Sequence, residues 1–235
     1  MNIRLETLAS LVPNGRGLID VGTDHGYLPL HLARKGYSGK LFASDINVGP
    51  LSAARRSARE ADLEDRITFL LCNGLADCPQ EEIDTIVVAG MGGDLICDIL
   101  DRAEWCLNRR YTLILQPMTK AEVLRYWLVN NGFVIDTERL VPDGDHLYQI
   151  LRASWQDRNT ALTDAELFSG AFDLIRNEPL SAAWLDQLSA RFSRELRGLS
   201  QGSRSREGRV KICQQIMLDL QAMRGKIHDD GKTDF

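Results

Sequence analysis

From Gly17 to about Trp155 the chain alternates between short apolar runs and stretches in which apolar residues recur every three or four positions. The runs are "GLIDVG", "KLFASDI", "ITFLLC", "DTIVVAG", "TLILQP", "FVIDTERLV" and "HLYQILRASW". Helical periodicity predicts segments over Leu28–Lys35, Pro50–Ala61, Asp94–Ala103 and Lys120–Asn130, with "GLADCPQEE" a short linker after the third run. Strand–helix alternation of this kind predicts a doubly wound α/β sheet, and runs as continuous as "TIVVA" fit strands buried on both faces. The alternation stops at the end. Only "PDGD" separates the sixth run from the seventh, turn chemistry too short for a crossover helix, so the last strand should run antiparallel to its neighbour.

Beyond Trp155 the pattern is helical throughout. "TDAE", Thr163 to Glu166, has the form of a capping box ahead of Leu167, Phe168, Ala171, Leu174 and Ile175, and "NEP" is expected to break that helix. Leu185, Leu188, Phe192, Leu196 and Leu199 mark a second helix, and Ile212, Ile216, Leu220, Met223 and Ile227 a third. Their near-heptad stripes, joined by the polar "SQGSRSREG", predict an antiparallel, coiled-coil-like hairpin. The expected division is a sheet domain over 1–155 and a small α-helical domain over 156–235.

Composition narrows the function classes. No apolar run approaches a membrane span and the N-terminus lacks a signal layout, so a cytoplasmic protein is expected. The five cysteines include no C-x-x-C pair and the four histidines do not fall at zinc-ligand spacing; reduced, buried thiols and no metal site are expected. Residues 1–155 carry 16 Lys/Arg against 21 Asp/Glu, whereas the remainder is balanced. Within that remainder Arg191, Arg194, Arg197, Arg204, Arg206, Arg209 and Lys211 face only Glu195 and Glu207, a local basic block suited to phosphates if it is more than a solvated helix face.

Candidate chemistry gathers at the ends of the predicted strands. The first turn reads D-x-G-x-D-x-G through Asp20, Gly22, Asp24 and Gly26, so the dinucleotide fingerprint fails at its middle glycine. A carboxylate at Asp24 would repel a pyrophosphate but suits a sulfonium or an amine. That chemistry points to S-adenosylmethionine, a nucleoside ligand without phosphates. Asp45 ends the second strand, where a carboxylate can accept ribose hydroxyls. Asn73 and Gly74 follow the third strand, and an amide there can read an adenine edge. "AGMGG", Ala89 to Gly93, lets backbone approach a ligand after the fourth strand, and Gln116 and Pro117 end the fifth.

Together "DVGTDHGYLP", "AGMGG", "LILQP", "LRYWLVNNGF" and "RLETLASLVP" resemble the bacterial tRNA:adenine(22)-N1-methyltransferase family over nearly the whole chain. The resemblance implies a Rossmann-like class I methyltransferase sheet of seven strands, the last antiparallel, followed by a helical, coiled-coil-like domain. It further implies methyl transfer from S-adenosyl-L-methionine to N1 of adenosine 22 of tRNA. Two positions depart from the family's pattern, Asp45 in "SDI" for Glu and Asn73 in "NG" for Asp, and each keeps a hydrogen-bonding group. On this reading Asp20, Gly22, Thr23, Asp24, His25, Asp45, Ile46, Asn73, Gly74, Leu75, Gly90 and Met91 hold the methyl donor, with His25 more a structural residue than an acid or base. Asp24 is the candidate catalytic residue, although Asp is also a favoured helix N-cap. Tyr27, Gly92, Gly93, Gln116, Pro117, Arg204, Arg206 and Arg209 face the tRNA, and Tyr27, Met91 and Tyr148 are candidates for stacking a splayed base. A monomer or weak homodimer is expected. The alternatives are a methyltransferase of the same fold acting on another RNA or a small molecule, a nicotinamide-dependent oxidoreductase, and a noncatalytic S-adenosylmethionine/RNA-binding module.

Overall fold

Strands form where the apolar runs fall: β1 (Gly17–Val21), β2 (Lys40–Asp45), β3 (Ile67–Leu71), β4 (Thr85–Gly92), β5 (Thr112–Thr119), β6 (Phe133–Asp143) and β7 (His146–Trp155). The computed structural model describes residues 3–144, 146–199 and 207–230 of the 235-residue chain, the last three of these by backbone alone. All seven strands join one sheet in the order β3-β2-β1-β4-β5-β7-β6. Pairings among β1 to β5 are parallel. The last strand is antiparallel, as the short "PDGD" turn requires, and it inserts between β5 and β6 so that both of its neighbours oppose it.

Successive side chains of a strand point to opposite faces, and the sheet uses both. Leu18, Val87 and Ile114 pack on one side with residues of α1 (Ile3–Leu11), α2 (Tyr27–Arg34) and α3 (Val48–Glu60). Ile19, Ile86, Val88, Leu113 and Leu115 pack on the other with α4 (Gly93–Asp101) and α5 (Ala121–Asn130). The predicted helices thus lie within a few residues of their expected bounds. α1 was anticipated only as an amphipathic start, and its Leu8 and Leu11 are buried against Val141 of β6 and Ile150 of β7.

Arg125 of α5 and Glu138 of β6 form an ion pair with side chains 0% and 1% exposed, at 2.5 Å from Nη2 to Oε2. Both charges are removed from water, and each offsets the desolvation of the other.

The helical remainder contains α6 (Asp164–Ser169), α7 (Phe172–Ile175), α8 (Ser181–Leu199) and α9 (Glu207–Asp230). The Thr163–Glu166 capping box is formed in both directions. The break expected at "NEP" separates α7 from α8, and a further break precedes it, because Gly170 takes φ +100° and divides α6 from α7. Leu185, Leu188 and Phe192 of α8 pack with Cys213, Ile216, Leu220 and Met223 of α9. Most of the expected turn between them, residues 200–206, lies outside the described residues.

The chain separates into two compact units, Met1–Thr160 and Ala161–Phe235. This division falls five residues beyond the expected 155/156, since the backbone N–H groups of Gln156 and Arg158 donate to Gly132 O and hold that segment on the first unit. All five cysteines are free and buried. Among the described residues no helix is long and apolar enough to cross a membrane, and no group of three or more His, Cys, Asp or Glu is placed to hold a metal ion.

Glu138→Ala takes the carboxylate away from the buried guanidinium of Arg125 and is expected to cost about 3–5 kcal/mol in urea unfolding. Combining Arg125→Met with Glu138→Leu should restore at least half of that loss. A double variant no more stable than the single one would show that the pair contributes more than mutual neutralisation.

Candidate active site

β1 lies between β2 and β4, and the helices that leave β1 and β4 pack on opposite faces of the sheet. Such a reversal opens a crevice at the carboxyl ends of the two strands. Two adjoining cavities occupy it, of about 680 Å³ and 310 Å³, and both are bounded by Gly22, Ala89 and Gly90.

The turn after β1 is shaped by its backbone. Gly22 N and Thr23 N both donate to Ser44 O, at 2.8 Å and 2.9 Å, which pins the turn to β2. Gly22, Asp24 and Gly26 then take left-handed φ values of +72°, +51° and +70°. A side chain at Gly22 would also strike Met91, whose Cε would lie 2.1 Å from the added Cβ. Aspartate is among the few residues that enter the left-handed region readily. The N-cap of α2 is Gly26 and not Asp24. The capping explanation for Asp24 therefore fails: its carboxylate is 69% exposed and borders the larger cavity.

Asp20 has the opposite environment. It ends buried beneath the turn, accepting a 2.6 Å hydrogen bond from Thr23 Oγ1. Burial pushes its carboxyl from an ordinary 3.8 up to about 6, against the lowering effect of the Thr23 hydroxyl. The larger cavity is thus bounded by one buried and one exposed carboxyl, with Tyr27 at its rim and the apolar Leu5, Leu8 and Leu28 in its wall.

The smaller cavity gathers Asp45, Ile46, Asn73, Gly74 and Met91. Asp45 Oδ1 accepts from Asn47 N at 2.8 Å, which fixes the carboxylate at the end of β2. Gly90 bulges out of the β4–β5 register with φ +80°. It is held there by Gln116, whose Oε1 accepts from Gly90 N at 3.0 Å while its Nε2 donates to Pro117 O at 3.1 Å.

Several residues expected at the site lie in the packing around the two cavities. Leu75 is 2% exposed and belongs to the core beneath the smaller cavity. Gly93 begins α4 against the β5–α5 turn, where an added Cβ would meet Lys120 O at 2.2 Å, so its small size serves close packing. Gly92 is the N-cap of α4, and Pro117 is buried in β5; neither borders either of these two cavities. Gln116 does border the larger cavity, but its amide is spent on Gly90 and Pro117. His25 borders neither cavity and stacks on Tyr27, with its Nε2 3.8 Å from Asp24 Oδ1. Arg209 pairs with Glu195 at 2.7 Å, and Arg204 and Arg206 lie outside the described residues.

Other wall residues were not anticipated. Leu95, Asp98, Ile99 and Arg102 border the smaller cavity. They stand at i, i+3, i+4 and i+7, so one side of the helix after "AGMGG" makes that wall, a periodicity present in the sequence. Arg4 of α1 and Met118 of β5 border the larger cavity, with Arg4 Nη1 donating to Met118 Sδ at 3.6 Å and its guanidinium 5.8 Å from the Tyr148 ring.

The raised Asp20 carboxyl makes a test. Because the folded protein binds this proton more tightly than the unfolded chain, its stabilising contribution is full below about pH 4 and is lost as pH rises through about 6. At pH 8 the buried carboxylate costs up to about 3 kcal/mol. Asp20→Asn is expected to raise the Tm above wild type at pH 8 and to lose that advantage at pH 4. An equal difference at both pH values would refute the assignment.

Residues 1–151 match the family model described as a methyltransferase domain. The chain is 33% identical over 167 residues to the tRNA (adenine(22)-N(1))-methyltransferase of Bacillus subtilis (strain 168), covering 71% of this chain and 70% of that protein. The structure of the Bacillus subtilis M1A22 tRNA methyltransferase TrmK is similar with a TM-score of 0.84 at 26% identity, over 95% of this chain and 98% of the other. Sp1610 of Streptococcus pneumoniae, solved in complex with S-adenosyl-L-methionine, is similar with a TM-score of 0.77 at 27% identity, over 95% and 99%. The chain therefore belongs to the methyltransferase-domain proteins and, among them, to the tRNA (adenine(22)-N(1))-methyltransferase family.

Proposed function

We infer that the protein methylates N1 of adenosine 22 in tRNA, with S-adenosyl-L-methionine as donor. The observation that carries this reading is the pair of cavities meeting at Gly22 and Gly90, acidic where a dinucleotide site would be anion-binding. Arg4 is the one cationic side chain among the described lining of the larger cavity, where Asp20 and Asp24 also stand. That donor set fits a phosphate-free nucleoside with a cationic tail.

When bound, the donor supplies an electrophilic methyl group on a sulfonium. Asp45 is placed to accept ribose hydroxyls and Asn73 to read the adenine edge, between the apolar walls of Ile46, Leu95 and Ile99. Asp20 faces the cationic tail, and an ammonium there would return its carboxyl toward the ionised form. The acceptor needs no general base, because adenine N1 carries an in-plane lone pair. The N1–C bond forms as the C–S bond breaks, its electron pair leaving with sulfur, and the base becomes cationic. Asp24, ionisable and exposed at the rim, neutralises that charge as it develops and can then accept the N6 proton. Leu5, Leu28 and Met118 present an apolar surface for a base taken out of its stack, with Tyr27 at the rim. The basic block from Arg191 to Lys211 offers phosphates a concentration of positive charge that contrasts with the net acidic first unit. As tRNA is the acceptor, the reaction takes place in the cytoplasm.

The purified protein, given S-adenosylmethionine and an unmodified tRNA transcript, should yield N1-methyladenosine on nucleoside mass spectrometry. The product should disappear when adenosine 22 is replaced by guanosine; methylation that persists would move the acceptor elsewhere, and none at all would refute the reading. Asp24→Ala should lower kcat by ~10²–10³-fold with an unaltered circular dichroism spectrum. Asp20→Asn should instead weaken donor binding about 10-fold or more by calorimetry.

A further inference from the structure

A furrow of about 460 Å³ runs along α2, separate from the two cavities of the crevice but sharing Leu5 and Tyr27 with the larger one. Its floor is a single side of that helix: Tyr27, Leu30, His31 and Arg34 stand at i, i+3, i+4 and i+7. Leu5 of α1 closes one flank, and Ser57, Glu60 and Ala61, at the end of α3, close the other. From Tyr27 to Arg34 the furrow spans about 10 Å, two turns at 1.5 Å per residue.

Its lining is graded. At the junction with the larger cavity Tyr27 is 60% exposed, and its ring stacks on the His25 imidazole at 5.3 Å with 28° between the planes. This makes a shelf of two rings beside the buried Leu30. At the far end Arg34 is exposed and has no ion-pair partner among the described residues. A charge left unpaired at the end of an aromatic shelf is the chemistry of a site that stacks a base and grips the phosphate attached to it. The volume lies within the range of small-molecule sites.

We propose that this furrow binds the nucleotide adjacent to the methylated adenosine, its base on Tyr27 and Leu30 and its phosphate on Arg34 with His31 beside it. The proposal rests on adenosine in tRNA being the acceptor. An adenosine turned into the larger cavity stays joined to its neighbours, so the RNA must leave that cavity over the rim, and Tyr27 is where rim and furrow meet. Glu60 is the carboxylate of the furrow and restricts the phosphate to the α2 side. The Arg34 guanidinium supplies a cationic step in a unit whose net charge is acidic, and the His31 imidazole offers a further hydrogen-bonding group. His25, which borders neither cavity of the crevice, gains a role as the second ring of the shelf.

Arg34→Gln removes the charge without opposing the end of α2, and Arg34→Glu reverses it. Expected are rises in KM for tRNA of about 5-fold and 10-fold, with kcat within twofold of wild type and donor affinity unchanged. The slope of log K against log salt concentration should become shallower by about 1, and Arg34→Lys should keep most of the wild-type KM. Arg16→Glu, the same change in net charge as Arg34→Glu but before β1 at the amino edge of the sheet, should leave KM as it is. A KM for Arg34→Glu no higher than that of Arg16→Glu overturns the proposal. So does a lowered Tm with an unchanged KM, which would assign Arg34 to the C-terminal end of the α2 dipole. Failure of the underlying reading is seen separately, in wild-type protein that forms no N1-methyladenosine in tRNA, and it would overturn the furrow proposal as well.

Discussion

The site depends on the reversal of crossover direction at β1 and β4. Two parallel strands whose following helices leave to opposite faces cannot close the gap above their carboxyl ends, and everything placed at those ends faces one crevice. Residues far apart in sequence, Asp20, Asp45, Asn73 and Gly90, become neighbours of two adjoining cavities for this reason alone. Local devices then refine the walls. Ser44 O receives two N–H groups of the first turn, and Gln116 fixes the Gly90 bulge by one amide reaching across from β5. The carboxylates differ by burial: Asp20 is covered and its proton held more firmly, whereas Asp24 stands in solvent.

That contrast sets stability against binding. A buried carboxyl with one hydroxyl partner is costly to ionise, and an apolar or amide side chain would suit the unliganded fold better. Asp20 is intelligible as a residue whose cost is offset when a cation arrives. Asp24 likewise occupies a left-handed backbone position where glycine would be at ease, and it makes no capping bond in return. Local rules are broken at both positions, and both border the cavity.

The ends of β1 to β4 are legible because each combines an apolar run with an abrupt switch to Asp, Asn or Gly, and topology aims all such ends the same way. The sheet's hairpin could be anticipated because "PDGD" is too short for anything else, although the insertion of β7 between its neighbours depends on non-local pairing. The packing role of Gly93 is not legible, because close approach to a backbone carbonyl and close approach to a ligand leave the same mark in sequence. The α4 wall was passed over for another reason: Leu95 and Ile99 look like core residues, and only the helix's orientation distinguishes the cavity side from the buried Ile96 and Leu100. Arg4 was overlooked since nothing near it in the chain announces a ligand; it is brought to the rim by Leu8 and Leu11 packing behind it.

The way α1 is anchored bears on how the protein comes into being. The helix that walls the larger cavity is made before any strand of the sheet, yet it packs against Val141 and Ile150, on the last strands of the sheet to be synthesised. The guanidinium of Arg4 likewise lies by Tyr148 and Asp143. Every motif at the ends of β1 to β4 can be present in a growing chain while the acceptor cavity still lacks a side. Closure waits for contacts of very long sequence separation, which form late and slowly. A nascent or truncated chain could therefore hold the nucleoside half of its site without the half that receives RNA, and the two halves come to coexist only once the first unit has been completed.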